Sequence, residues 1–242
     1  MKDSTRTRTK HWQADGDSNT SPARAAWRAG RADPHESKIL DEDERFFLKQ
    51  SLSTPCLSAV RRAEGIWVED VAGQKYMDFH GNNVHHIGYA HPRLIEALKR
   101  QLDELPFSPR RFTNETAIAL ARKLADITPG DLGMALFAPG GSEAIEMALK
   151  VARAATGRHK TLSFWDSFHG AGFGAAGIGG EDTFRSGPVG PLVPGTEHVA
   201  PFACFRCPYG YPDRDGVPDL DVCNMTCARF VDYVLEKEGD VA

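Results

Sequence analysis

Residues 136–153, "LFAPGGSEAIEMALKVAR", pass from a short apolar run through a glycine pair into an amphipathic segment. A strand, a glycine turn and a helix in that order make a seat for a phosphate. Gly140 and Gly141 let the backbone approach an anion closely, and Ser142 is placed to cap the helix. The helix start offers free N–H groups and the positive end of its dipole. The Lys-Ser/Thr pair of a nucleoside-triphosphate P-loop does not follow the glycines. A tight turn with a serine cap and no ligand satisfies the same residues, so the pattern leaves both readings open.

Three further patterns carry possible chemistry. Gly172-Phe173-Gly174-Ala175-Ala176-Gly177 matches the dinucleotide pattern G-x-G-x-x-G after a strand, but the residues that follow, "IGGEDTFRSGP", read as loop rather than helix. Cys204 and Cys207, then Cys223 and Cys227 after a gap of fifteen residues, approach the spacing of a four-cysteine zinc site. Buried thiols without a metal are the alternative, because Cys204 and Cys227 have apolar neighbours. His80, His85, His86 and His91 cluster in "FHGNNVHHIGYAH", with no carboxylate or cysteine interleaved, and read better as a polar loop lining a pocket than as ligands.

The elements that must position these groups follow from periodicity. A short helix is expected at "ILDEDERFFLK". A hairpin is expected at "GIWVEDVAGQKYMDF", with Ile66, Trp67 and Val68 on one strand and Tyr76, Met77 and Phe79 on the other. Leu94, Ile95, Leu98, Leu102 and Leu105 recur at helical steps behind Pro92, and a second helix is expected over 113–127, capped by Thr113 or Asn114. From residue 134 the chain alternates: a buried strand "MALFAP", a helix over 142–155, a strand "TLSFWD", a Gly/Pro-rich stretch over 170–218 with one strand near "EHVAPF", and a final helix "VCNMTCARFVDYVLEKEG". The last residues, "GDVA", read as the start of another strand. Alternation of this kind implies an α/β fold with a parallel sheet.

The bulk numbers narrow the class. With 41% hydrophobic residues, 26% charged residues and a net charge of −4, the 242-residue chain is ordinary for a globular protein and offers no basic face for nucleic acid or an anionic membrane. No apolar run reaches membrane-spanning length, and five cysteines argue for a reducing compartment; a cytoplasmic enzyme or binding protein is expected. Residues 1–37 are polar and aperiodic and read as a disordered tail. Asp3, Asp15 and Asp17 argue against a transit peptide there.

Taken in order, "GIWVEDVAGQKYMDF", "GNNVHHIGYAHPRLIEAL", "LFAPGGSEAIEMALKVARAATG" and "TLSFWDSFHGAGFGA" resemble the class III (ω-aminotransferase-like) pyridoxal-phosphate enzymes. The segment "APFACFRCPYGYP" leading to "CNMTC" resembles the subgroup containing ethanolamine-phosphate phospho-lyases and aminophosphonate ammonia-lyases. The resemblance implies fold type I: residues 38–128 as the small N-terminal segment and 129–242 as the first part of the cofactor-binding large domain, its parallel sheet incomplete. It implies that the cofactor is pyridoxal 5'-phosphate, with Gly140, Gly141 and Ser142 at its phosphate, Phe168 stacked on its ring, and His169 and Gly170 beside it. Asn82, Asn83 and Val84 are implied to face the substrate. Many relatives have Ser or Thr where Gly140 stands, which costs a hydroxyl contact and leaves the turn.

The Schiff-base lysine and the aspartate that pairs the pyridine nitrogen are expected beyond the last residue, since Lys150, Lys160 and Lys237 lack the setting. The expectation is therefore a fragment of an amine- or aminophosphonate-converting transaminase or lyase, homodimeric when full length and without turnover on its own. A zinc-stabilised binding module and a pseudoenzyme partner are the alternatives.

Overall fold

The computed structural model describes residues 22–30, 33–48, 56–109, 111–185, 190–211, 213–214 and 217–242. Two compact units meet in sequence at Leu120/Ala121, inside a helix.

In the first unit, α1 (Pro22–Gly30) and the opening of α2 (Pro34–Phe46) fall within the span read as a disordered tail. Residues 1–21 of that span lie outside the described residues. Asp33 explains the start of α2: its carboxylate accepts from the N–H groups of His35 and Glu36, and Pro34 takes the first helical position. Buried Glu36 then accepts from the Ser58 hydroxyl at 2.5 Å, a tertiary anchor that no local period signals.

β1 (Val60–Glu64), β2 (Trp67–Asp70) and β3 (Lys75–Met77) form an antiparallel meander, with Ala63 opposite Val68 and Trp67 opposite Met77. The expected hairpin is β2–β3. β1 was not expected, because "VRRAE" is an exposed, charged edge without apolar alternation. Buried Asp70 closes the turn by accepting from the Gln74 N–H at 2.8 Å and the Tyr76 hydroxyl at 3.0 Å. α3 (Pro92–Glu104) starts at Pro92 as expected, and α4 (Glu115–Ile127) is capped by Asn114, whose side chain accepts from the Ala117 N–H at 2.9 Å.

In the second unit, residues 134–139 do not form the expected buried strand; Met134 is fully exposed and Leu136 is 69% exposed. An apolar run becomes a strand only with hydrogen-bonding neighbours, and among the described residues none lies beside it. α5 (Gly141–Thr156) follows and ends on Gly157 in the left-handed region. β4 (Thr161–Phe164) pairs in parallel with β5 (Thr196–Val199), and between them run α6 (Phe173–Ile178) and α7 (Asp182–Arg185). Val241 makes a single isolated parallel bridge to Lys160, the residue before β4. Lys160 is held there by Glu238 and by Asp240 at 3.4 Å. After a two-residue ladder of β6 (Asp213–Arg214) and β7 (Val217–Pro218), the expected last helix is broken into α8 (Leu220–Cys223) and α9 (Thr226–Lys237) by Asn224 and Met225, both left-handed. Ala175, Ala176 and Val199 are buried here, while large apolar side chains such as Phe168 and Phe202 stay more than half exposed.

Candidate functional site

The start of α5 differs from expectation in one detail. Gly140, in extended conformation, is the cap, and no side chain caps the helix; Ser142 sits in the first turn. Two glycines leave the backbone free to enter the helix one residue early. The Ser142 hydroxyl is thereby released for another neighbour, which is Gly170. A Cβ added to Gly170 would lie 2.3 Å from Ser142 Oγ and 2.9 Å from Ser142 Cα. Gly170 is buried and has φ +129°, so both its conformation and its space exclude a side chain. Two segments that are far apart in sequence thus meet at van der Waals contact.

Phe168, two residues before that contact, is 56% exposed, its ring edged by Phe184 at 4.6 Å between centroids. His169 is tied back toward β4: its Nε2 lies 3.4 Å from Ser163 Oγ, and Ser163 Oγ lies 3.3 Å from Ser167 Oγ. An uncapped helix start, a serine hydroxyl and an aromatic face suit a ligand that joins a phosphate to a planar ring. Nothing lies within 4 Å of a Cβ placed on Gly141, so the seat is open on that side.

The dinucleotide pattern has a different explanation. Gly172 and Gly174 pack on the Glu146 carboxylate, and Gly177 on the Val193 carbonyl; their would-be Cβ atoms lie 3.0, 2.3 and 3.0 Å from those oxygens. α6 opens at Phe173, within the pattern itself, and its Ala175 N–H donates to Glu146 Oε1 at 3.0 Å; the stretch after it, read as loop, holds the short α7. The glycines serve helix packing.

In the first unit, Gly81, Asn82 and Asn83 form a tight turn with φ of 50°, 46° and 59°, a conformation that Gly and Asn tolerate best. Asp78 builds it. Its carboxylate accepts from the N–H groups of His80 and Gly81, each at 2.8 Å, and from the Tyr89 hydroxyl at 2.5 Å. His80 Nδ1 accepts from the Asn82 N–H at 3.0 Å, and the His85 ring packs on Tyr89 at 4.1 Å. Asn82 and Val84 line a cavity of about 260 Å³ with Asp78, His80, His85 and Tyr89; Asn83 is not among its lining residues. Asp78 escaped sequence reading because its role is to hold neighbours, with no motif of its own.

The Tyr89 hydroxyl, then the Gly81 and His80 N–H groups, bring the Asp78 carboxyl down to about 2. A depressed carboxylate stabilises the fold above its ordinary pKa, and that support is lost as pH falls through the folded value. The 78–89 loop is therefore expected to stay ordered at pH 5 and to loosen between about pH 4 and 2, with Asp78→Asn loosening it already at neutral pH. Amide exchange at Gly81 and Asn82 reads this; equal protection at pH 5 and pH 2 would contradict it.

Cys204, Cys207, Cys223 and Cys227 do come together, lining one small, mostly apolar cavity beside Tyr209 and Tyr211. All four are free thiols, and among the described residues no three His, Cys, Asp or Glu side chains are arranged to hold a metal ion. No described helix is long and apolar enough to cross a membrane.

A family model for class III aminotransferases matches residues 49–218. The chain belongs to the class III aminotransferase family. It is 47% identical, over 96% of its length, to an (R)-1-hydroxy-2-aminoethylphosphonate ammonia-lyase of Vibrio splendidus, of which it covers 50%. It is 33% identical over 75% of its length to an adenosylmethionine-8-amino-7-oxononanoate aminotransferase of Methanocaldococcus jannaschii, of which it covers 41%. Among solved structures, the (S)-enantioselective ω-transaminase of Thermomicrobium roseum superposes with a TM-score of 0.70 at 28% identity, over 84% of this chain and 47% of that one. The taurine:2-oxoglutarate aminotransferase of Bifidobacterium kashiwanohense, solved with pyridoxal phosphate and glutamate, gives 0.74 at 24% identity, over 85% and 46%. The chain spans about half the length of the relatives it matches. Class III aminotransferases are pyridoxal-phosphate enzymes of fold type I, an α/β fold.

Proposed function

We propose that this chain carries the phosphate seat and ring platform of a pyridoxal-phosphate enzyme acting on an amine or aminophosphonate. The contact of Ser142 with Gly170, beside the exposed face of Phe168, carries the reading. Gly140, Gly141 and Ser142 would hold the phosphate, Phe168 would stack on the ring, and His169 and Gly170 would set the position of Phe168. When bound, the cofactor supplies an electron sink for carbanion chemistry at the substrate carbon bearing the amine. Residues of this chain bind and orient: the helix start neutralises the phosphate charge, and the aromatic face excludes water from one side of the ring. Residues 38–128 then serve as the small N-terminal segment and 129–242 as the first part of the large domain.

An aminophosphonate substrate is supported by the similarity to the Vibrio splendidus lyase. Asn82, Asn83 and Val84 would face the substrate, and His80 and His85, which line a cavity with Asn82 and Val84, would offer imidazole donors to an anionic tail. A homodimer in the cytoplasm completes the proposal. Phe168→Ala should weaken pyridoxal 5'-phosphate binding about tenfold, a loss of about 1.4 kcal/mol, within the range of aromatic stacking. Absorbance titration of both proteins measures it, and equal affinities would remove the stacking role.

A further inference from the structure

Ser142 and Glu146 lie one helical turn apart on the same face of α5. Gly170 and Gly174 are also four residues apart, and they meet those two side chains in the same order: Gly170 against Ser142, Gly174 against Glu146. The segment bearing Phe168 and His169 therefore touches α5 at two successive points. The second point is a charged one. The own cap of α6, Gly172, has no side chain, so the Glu146 carboxylate serves in its place by accepting from the Ala175 N–H at 3.0 Å. A Cβ at Gly174 would fall 2.3 Å from Glu146 Oε2, which explains a glycine inside so short a helix. Ala175 and Ala176 are buried directly behind this contact.

We propose that Glu146 is a positioning residue of the cofactor seat: its carboxylate pins the start of α6 to α5 and so fixes residues 168–170 against Ser142. It touches neither phosphate nor ring; it acts through Gly172 and Gly174 on the segment that does. The proposal rests on the pyridoxal-phosphate reading. Sites of this kind lose affinity when a supporting contact shifts the binding groups by about an ångström.

The test uses the whole chain, pyridoxal 5'-phosphate as probe, and amide exchange at Ala175 as a second readout that needs no cofactor. Glu146→Leu removes the acceptor and should weaken binding about tenfold or more while Ala175 loses protection. Glu146→Asp keeps the charge but withdraws the carboxylate by about 1.5 Å, and should give a smaller loss in the same direction. Glu146→Gln still accepts from Ala175 and should bind within about threefold of the parent, since a neutral hydrogen bond is roughly half as strong as a charge-assisted one. If the Leu variant does not fold, the Asp and Gln pair decides. Asp and Leu variants that lose Ala175 protection yet bind like the parent would overturn the proposal, as would a Gln variant as weak as the Asp variant. A parent chain that shows no saturable binding would instead overturn the pyridoxal-phosphate reading, and this proposal with it.

Discussion

Gly170→Ala is expected to weaken pyridoxal 5'-phosphate binding more than tenfold and to destabilise the second unit by about 3 kcal/mol. Two costs combine. At φ +129° an alanine is held in backbone territory that only glycine occupies without strain. Its Cβ would also sit 2.3 Å from Ser142 Oγ and 2.9 Å from the Ser142 backbone. The hydroxyl could rotate away, but Cα of a helical residue cannot. Segment 168–170 must therefore retreat from α5, and Phe168 moves with it. Placing Ser142→Gly in the same chain removes the Oγ and Cβ overlaps and leaves the Cα overlap and the strain. The double variant should thus recover part of the lost stability, an interaction that a double-mutant cycle detects. Thermal unfolding and absorbance titration measure both effects. Independent, additive losses would show that Ser142 and Gly170 do not meet.

The second large effect concerns stability alone. Gly180 is buried, and a Cβ there would lie 2.2 Å from the Phe164 carbonyl, 2.5 Å from Trp165 Cα and 2.8 Å from the Asp166 nitrogen. All three are backbone atoms at the end of β4, where the chain turns. They cannot yield without breaking the hydrogen bond from the Gly180 N–H to the Ser167 carbonyl at 2.8 Å. Gly180→Ala should lower the melting temperature by about 10 °C, the effect of roughly 3 kcal/mol in a chain of this size. Gly239→Ala, with nothing within 4 Å of its Cβ, is the matched control and should change little. A melting temperature unchanged in Gly180→Ala would show that the β4 turn is built otherwise.

Wherever structure depends on neighbours in sequence, the residues alone were legible. Pro92 starts α3 and Asn114 caps α4, because caps and proline constraints act within one turn. The glycine turn that opens α5 was legible for the same reason: glycines followed by a helix are a local arrangement. What escaped depended on distant partners. "VRRAE" becomes β1 only because β2 lies beside it, and "MALFAP" stays exposed coil because no described strand does. The opening of α2 lay hidden in a polar stretch because burial of Glu36 against Ser58 stabilises it, and the apolar period does not.

At the site the same division holds. The resemblance in motif order, a property of the chain, pointed to Phe168, His169 and Gly170 as neighbours of a cofactor; residue types and spacing alone pointed to Gly140, Gly141 and Ser142, and left a turn without a ligand equally open. They also brought the four cysteines under suspicion as a metal set. The tertiary structure gathered those cysteines around one cavity without a ligand arrangement. It turned the dinucleotide match into a packing surface for Glu146. It alone placed Gly170 against Ser142, and it alone revealed Asp78 as the carboxylate that builds the Asn82 turn. Motifs report which atoms could react or bind. Distances between segments far apart in sequence are set by packing, and packing is decided only when the whole unit folds.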